Sequence, residues 1–400
     1  MGSVAVFPQD VYVGQDFYVP AFRVKVRGQD LRQIEYDVLG VTYTDSNKDI
    51  DSFDLTVNNW DPDGKGPSGS GQGWFKYSDT DILDPWQDVE LFMGYYRNGN
   101  DELRRMLVGE ITRMTPNFPA SGASTMTIHC VNLLQRFRTT QITKDYFQKK
   151  DSWIARDLIG GIADDTRKKI PNLVLSTDSN EIDKNLANEN EVKHLTIKQE
   201  YAINFLLERS RQIGYEISLE EVPQGDQRNV TFHYRPSQDV IRPTYKLEWG
   251  KSLISFQPSF GTAKQVNKVI VRSWNPDLKK KFEGTATRAD LLSEGVLDPT
   301  QDFKVRQGPL ADNTEIVTDE VVQSDDEAKL LAKKRLRMIA QGLVTGKGKT
   351  VGLPDLRTGG KIQIIGLGRY DGMYVVETTT HSMGDSGYTT DFSARMEKEP

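Results

Sequence analysis

The feature that most constrains the fold is a stretch of alternating polar and apolar residues between Asp355 and Met396. Three segments alternate, at 361–365, 373–379 and 388–394, and the glycine-rich sequences GLGRYDG and GDSG separate them. A period of two residues is typical of strands that bury one face. Short glycine-rich turns connect consecutive antiparallel strands. The stretch therefore predicts a β-meander.

The same order of signals occurs earlier in the chain. DPWQDVELFMG contains a strand that ends in glycine, as does DLRTGGKIQIIG. Gly109 and Gly372 each stand just ahead of the next alternating strand. A Gly/Ser turn and a Thr-rich strand follow in both copies, SGASTMTIHC and DSGYTTDFSA. Repeated signals in one order indicate an internal repeat.

A further parallel lies upstream in each copy. LTVNNWDP leaves its strand through Trp60 and Pro62, and VIVRSWNP does so through Trp274 and Pro276. We interpret these similarities as two copies of one β-module.

Two segments have a helical period instead. SWIARDLIGGIAD and TIKQEYAINFLLERSRQIG each place their large apolar residues on one face of a helix. A third segment, SDDEAKLLAKKRLRMIAQG, begins with acidic and ends with basic residues, which suits the helix dipole.

The chain thus divides into an N-terminal arm and three larger units. The arm is 1–17, the first module is 18–138, and a helical insert with a small sheet follows at 139–240. The second module is 241–396, and a charged segment and helix interrupt it at 277–342. The predicted fold class is α+β, mainly β, with two related antiparallel β-barrel modules.

Composition restricts the function. The 400 residues are 37% hydrophobic and 27% charged, which is ordinary for a globular protein. The net charge of -6 argues against a dedicated nucleic-acid site, which would carry a basic patch. Cys130 is the only cysteine, so a disulfide framework is excluded. We find no signal peptide and no apolar run long enough for a membrane span.

Candidate chemical motifs are weak. His129, His194, His233 and His381 lack the short spacing of a zinc site. TGKGKT resembles the end of a phosphate-binding loop, but Leu343 stands where the loop needs glycine, and a glycine-rich exit from a helix is the better interpretation. We predict no catalytic, metal or cofactor-binding residue.

Residues 327–396 contain a pattern of glycines and aromatic residues, GxGxTxGxPxLRxGxxIxIxGLG followed by GxYxVxxxxHxxxxxGYTTxF. With its two modules, the sequence resembles the phage late-control protein D family, the tail hub of contractile injection machines. The matching residues predicted to be structural include Gly352, Pro354, Gly366, Gly372, His381, Gly387 and Tyr388.

The resemblance implies a non-enzymatic, cofactor-free homotrimer in which each chain contributes two barrels to a ring of six around a channel. The ring would join a trimeric spike to a hexameric inner tube, and baseplate wedge proteins would surround it. Because the chain stops at Pro400, the spike is expected to be a separate protein. Assembly in the cytoplasm and a place in a virion tail or phage-like particle follow from the same resemblance.

The predicted channel requires a polar strand face. The Thr-rich strands supply the candidate lumen-facing residues, which are Thr125, Thr127, Thr378 and Thr380. Two alternatives stay open: a hub-associated cell-wall hydrolase that uses carboxylates, and a carbohydrate-binding β-protein that uses aromatic residues such as Trp74 and Trp86.

Overall fold

The computed structural model of the protein describes residues 8–11, 17, 19–62, 64, 73–97, 100–138, 140–163, 173–175, 189, 191–224, 227–236, 240, 242–275, 279–294, 297, 305, 313–318, 322 and 324–397. The described strands are β1 (Gln9–Asp10), β2 (Pro20–Val26), β3 (Gln29–Asp30), β4 (Val38–Ser46), β5 (Ser52–Asn58), β6 (Trp60–Asp61), β7 (Trp74–Phe75), β8 (Asp88–Arg97), β9 (Asn100–Asn117), β10 (Thr125–Asn132), β11 (Gln141–Lys149), β12 (Leu173–Leu175), β13 (Val192–Tyr201), β14 (Tyr215–Gln224), β15 (Gln227–Pro236), β16 (Tyr245–Glu248), β17 (Leu253–Phe260), β18 (Lys268–Asn275), β19 (Lys280–Thr287), β20 (Thr314–Val317), β21 (Val344–Val351), β22 (Lys361–Ile365), β23 (Gly372–Gly384) and β24 (Gly387–Glu397). The described α-helices are α1 (Arg32–Asp37), α2 (Asp151–Ala163), α3 (Ala202–Ile213), α4 (Arg288–Ser293) and α5 (Asp325–Gln341).

The fold is mainly β, as the sequence predicts, and a 14-stranded sheet dominates it. Its first module has the strand order β4-β5-β10-β9-β8-β2-β3. The second has the order β17-β21-β24-β23-β22-β16, and β1 pairs in parallel with β16. Strands β4 and β23 join the modules, because they pair antiparallel from Ser46 opposite Thr378 to Gly40 opposite Gly384.

Five strands of the two modules correspond one to one: β4-β5-β10-β9-β8 matches β17-β21-β24-β23-β22, with antiparallel pairing throughout. The sixth pair differs, since β2 is antiparallel to β8 whereas β16 is parallel to β22. The prediction of two related modules is therefore confirmed.

Both modules have β-bulges at equivalent residues, so the two modules can be aligned residue by residue. The β9–β10 register shifts at Thr112, and the β23–β24 register shifts at the equivalent Glu377. The β4–β5 register shifts at Leu39, and the β17–β21 register shifts at the equivalent Ile254. A bulge inserts one residue and redirects the strand. The two modules therefore share their bends as well as their strand order.

The prediction of closed barrels is wrong for the described residues. No strand ladder joins β3 back to β4, and only an isolated bridge between Trp249 and Leu253 connects the region of β16 to β17. In the first module, helix α1 lies against β2 and β5, and its Ile34 is buried in the core. The helix therefore contacts strands near both ends of the sheet of this module.

The proposed equivalence of Trp60 and Trp274 is also wrong. Strand β18, which carries Trp274, lies in a separate sheet of order β19-β18-β20, whereas Trp60 follows β5 of the large sheet. The counterpart of β5 is β21, which contains the TGKGKT sequence. The TGKGKT sequence is therefore a strand and not the glycine-rich exit from a helix.

Buried side chains form four hydrophobic clusters. Two of them underlie the modules, and a third joins α2 and α3 to β11–β15. The fourth lies between α5 and the β18–β19 sheet, where Gly284 permits contact: a Cβ at this position would lie 2.1 Å from the backbone nitrogen of Lys329. The predicted domain boundaries stay predictions.

The described part of the N-terminal arm packs on its own chain. Val11 is fully buried in the core of the second module, and Phe17 contacts Tyr95 edge to face with ring centroids 5.0 Å apart.

The large sheet has two distinct rims. We name the bulge rim the edge at which β4, β10, β17 and β24 begin, and it includes Leu39 and Ile254. We name the insertion rim the edge at which these strands end. Residues 133–244 follow β10 and residues 261–343 follow β17, so both insertions leave from the insertion rim.

Candidate functional site

The seam between β4 and β23 brings the predicted motif residues together. Gly352 lies directly on Tyr388, because a Cβ on Gly352 would stand 2.1 Å from the tyrosine ring. The Gly352 N–H donates to the Tyr388 carbonyl at 3.0 Å, and the Gly352 carbonyl accepts from the Tyr95 hydroxyl at 2.8 Å. Because Tyr95 belongs to the first module, the contact ties the C-terminal motif to it.

His381 is at the centre of this seam and is fully buried. Its Nε2 lies 3.1 Å from the Leu356 carbonyl, which can only accept, so Nε2 carries the proton. Its Nδ1 lies 2.9 Å from the Tyr388 hydroxyl and 3.1 Å from that of Thr390. Burial and the charge of Arg357 lower the pKa of His381 to about 3. The imidazole is therefore neutral near pH 7, and both its nitrogens are occupied.

Arg357 forms the ionic part of the seam. Its Nε donates to Asp45 Oδ2 at 2.9 Å, and its terminal nitrogens donate to the Tyr43 hydroxyl and, at 3.1 Å, to the Met106 carbonyl. The guanidinium also lies 4.5 Å from the centre of the Tyr43 ring, within cation–π range. The N–H of Thr358 donates to the same Asp45 oxygen at 3.0 Å. One arginine of the second module thus binds three residues of the first.

The two carboxyl groups near Arg357 have opposite pKa shifts. Burial acts to raise the pKa of Asp45, but the Arg357 charge and the Thr358 N–H outweigh it and keep that pKa below its usual range. Burial raises the pKa of Asp51, and the Asp45 charge raises it further, to about 8. Asp45 is therefore the ionised partner of Arg357, while Asp51 retains a proton and accepts from Tyr43 at 3.1 Å.

The opposite face of the same sheet is polar. The registers place Thr125 and Thr127 of β10 and Thr378 and Thr380 of β23 on one continuous face, away from the core. All four are half-buried. Thr127 lies 3.4 Å from the Thr56 hydroxyl.

Three charged pairs lie on this face, and among the described residues Arg113 and Lys347 lie on it without an ion pair. Lys349 lies 3.3 Å from Asp391, His129 lies 2.7 Å from Asp54, and Arg395 approaches a neighbouring carboxylate at 3.5 Å. The result is a hydrophilic surface that combines hydroxyl groups with paired and unpaired charges.

The remaining predicted structural residues lie away from the seam. Gly109 of β9 stands opposite Asn132 of β10, and a Cβ there would stand 2.2 Å from the Val131 carbonyl. Gly366, Gly372 and Gly387 have positive φ angles of 91°, 148° and 95°, at turns that favour glycine.

Four further residues belong to the predicted set. Pro354 is in the turn that follows Gly352, Pro62 is exposed beyond β6, and Trp274 is 60% exposed on β18. Pro276 lies outside the described residues.

Sequence reasoning missed the Arg357 network. Arg357 stands within the C-terminal pattern, but its partner Asp45 is 312 positions away in the chain. Asp45 belongs to a polar turn sequence, TDSNKD, which gives no local sign that the carboxylate is buried.

The described residues contain no group of three or more His, Cys, Asp or Glu side chains placed to hold a metal ion. Among the described helices, none combines the length and apolar character needed to cross a membrane.

A family model described as the Alg8 N-terminal domain matches residues 18–385. The chain belongs to the Alg8 N-terminal domain family. The match covers the first module, both insertions and the second module up to the turn before β24. A search of curated proteins finds no match to the sequence.

Several solved structures have the same fold as this member of the Alg8 N-terminal domain family. The 43 kDa tail protein of prophage MuSo2 from Shewanella oneidensis is 12% identical, with a TM-score of 0.62 over 94% of this chain and 98% of that one. A tail protein from Neisseria meningitidis MC58 is 13% identical, with a TM-score of 0.61 over 94% and 97%. A chain of the Francisella PdpA-VgrG complex is 10% identical, with a TM-score of 0.53 over 97% and 61%. The chain therefore has the fold of phage tail proteins, which confirms the resemblance at the level of the fold.

Proposed function

We propose that the protein is the structural hub of a contractile phage tail or phage-like injection system, in which a homotrimer joins a trimeric spike to a hexameric inner tube. The repeat within the chain carries the proposal. A threefold assembly can meet a sixfold one with nearly equivalent contacts only if each chain presents the contact surface twice. Five equivalent strands with bulges at equivalent residues supply such a duplicated surface.

The rims suggest which partner lies on which side. At the bulge rim, Leu39 and Ile254 occupy equivalent positions and are 48% and 52% exposed. At the insertion rim, the short β4–β5 connection of the first module corresponds to residues 261–343 of the second. A trimer would therefore present six equivalent exposed residues at the bulge rim, three copies each of Leu39 and Ile254, and we assign this rim to the tube. The insertion rim would offer three unlike pairs, which suits the spike and, at the periphery, baseplate wedge proteins.

The polar sheet face suits the wall of a channel. Its hydroxyl groups, including Thr127 and Thr380, and its paired charges bind water well and expose little apolar area to a passing molecule. The buried His381 has no access to a substrate, so its chemistry is structural. These features support a passive conduit.

The mass of the purified protein in solution tests the trimer. One chain has a mass of 45.3 kDa, so a trimer should appear at about 136 kDa by native mass spectrometry or light scattering. Electron microscopy should then show a ring of six similar lobes along its axis. A chain that stays monomeric at all accessible concentrations, with and without candidate spike and tube subunits, would contradict the proposal. A turbidity assay on cell-wall fragments provides a separate control, since clearing by the isolated protein would favour a hydrolase.

A further inference from the structure

The two strands of the seam, β4 and β23, have equivalents in the other module, which are β17 and β9. In the seam, β4 covers the half of β23 that extends beyond β22. In the first module, residues 112–117 of β9 extend beyond β8 in the same way and pair with β10 alone. In the second module, residues 255–260 of β17 pair with β21 alone, whereas Leu253 also forms a bridge with Trp249. Within the described residues, both equivalents of the seam strands therefore have an open edge.

Exposure agrees with this pattern. Along the seam, the facing residues Thr42 and Ser382 are half-buried. At the open edges, the equivalents of the seam residues Thr42 and Ser382 are Gln257 and Asn117, and both are exposed.

We propose that β17 of one copy of the chain lies antiparallel beside residues 112–117 of β9 in a second copy, in the register of β4 beside β23. This inference rests on the proposed trimer and deepens it by naming the strands in contact. The register follows from the equivalent bulges, which align β4 with β17 and β23 with β9 residue by residue. Gln257 then stands opposite Asn117, and Ser259 stands opposite Thr115.

The seam between copies differs from the seam within a chain at its centre. The residues equivalent to Tyr43 and His381 are Pro258 and Pro116. The Gly261 N–H bonds to the Leu343 carbonyl on the β21 side, so the alternation of the ladder turns Pro258 toward the open edge.

Asn117 indicates the same orientation on β9. Its carbonyl accepts from Ser124 on the β10 side at 2.9 Å, which turns the neighbouring Pro116 outward. Neither proline has an N–H to donate, so the seam between copies lacks two ladder hydrogen bonds. Prolines at open edges also protect a sheet from unspecific strand addition.

Three such seams close a ring. Each chain contributes eight strands to the polar face, β9-β10-β5-β4 and β23-β24-β21-β17. Strands lie about 4.8 Å apart, so twenty-four strands give a circumference of about 115 Å and a diameter of about 37 Å before tilt is included. The threonine-rich face would line that ring.

Disulfide cross-linking tests the register. The variant Asn117→Cys/Gln257→Cys places two thiols at a pair whose Cα atoms lie within disulfide range in the proposed seam. We expect oxidation to convert most of the protein into covalent dimers and trimers. The matched control is Thr42→Cys/Ser382→Cys, the equivalent pair of the internal seam, which should close within one chain and leave the mass unchanged. Cys130 can stay, since it is buried.

A second cysteine pair, placed out of register, and the native mass of the protein distinguish a wrong seam from a wrong proposed function. Thr115→Cys/Ser255→Cys should give no covalent oligomer, because the proposed register places these residues four positions apart. If the Asn117→Cys/Gln257→Cys protein is a trimer by native mass but does not cross-link, the seam is wrong and the proposed function stands. If the protein is not a trimer, both fail. Equal cross-linking of the two pairs would also overturn the register.

Discussion

The Arg357 network makes a quantitative prediction about the seam. Arg357→Leu removes the ion pair with Asp45, the bond to the Met106 carbonyl and the cation–π contact with Tyr43. Removal of one member of a buried ion pair typically costs about 3–5 kcal/mol, because the other charge stays buried without its partner. The Asp45 and Arg357 side chains retain 11% and 23% exposure, so we expect the lower end, about 3 kcal/mol.

Hydrogen exchange of the β4 and β23 amides measures this cost locally, which avoids a two-state treatment of a large chain. A loss of about 3 kcal/mol corresponds to exchange that is more than about 100-fold faster wherever opening of the seam controls it.

The control is Arg104→Leu, which breaks an exposed ion pair between the modules. Arg104 lies 3.2 Å from Asp355, with side-chain exposures of 67% and 39%. Exposed pairs contribute about 0–1 kcal/mol, so exchange should change by less than about fivefold. In a double-mutant cycle, Asp45→Asn should cost little more once Arg357 is leucine. Equal effects of the two arginine substitutions on β4 and β23 would refute the argument that the buried network holds the modules together.

Three further predictions follow from the structure. Gly352→Ala should destabilise the protein by about 1–3 kcal/mol in chemical unfolding because its Cβ has no room, whereas Gly261→Ala, with no atom within 4 Å, should stay within about 0.5 kcal/mol. Because the folded pKa of His381 is depressed to about 3, its contribution to stability is present above pH 6.5 and decreases by about 3 kcal/mol from pH 7 to pH 4; the difference curve against His381→Gln should show this slope, and parallel curves would contradict it. Leu39→Asp and Ile254→Asp should each weaken binding of a candidate tube subunit in a pull-down without changing the native mass, and an effect of only one of them would contradict equivalent contacts.

The strands that the sequence predicts well are those that carry their own apolar residues. In β10, Met126, Ile128 and Cys130 alternate with polar residues, and the pattern matches the buried face. Strand β21 lacks this pattern because glycines occupy its core face. Cβ atoms at Gly346 and Gly348 would stand 2.2 and 2.5 Å from phenylalanine rings of the neighbouring strands. The phenylalanine side chains of the neighbouring strands supply the apolar surface over β21. The sequence of β21 has no apolar alternation of its own, so it does not predict a strand.

The seam was beyond prediction for a different reason. Glycine-rich turns and alternation are local, so the two meanders could be recognised separately. The β4–β23 pairing and the Arg357–Asp45 contact join positions more than 300 residues apart. The similarity of VIVRSW to LTVNNW was a misleading local signal, because strands in different sheets can share a buried-face pattern and an aromatic end.

The two kinds of seam suggest an order of assembly. The β4–β23 seam forms within one chain, so it has no cost of association and gains the buried network at His381 and Arg357. The proposed seam between copies is heterologous, and such contacts form either closed rings or open filaments. With Pro116 and Pro258 at its centre, a single such seam would be weak. A closed ring gains a third seam without ordering a further chain, so closure is favoured over open pairs, and a sixfold tube that contacts all modules at once would favour the ring further.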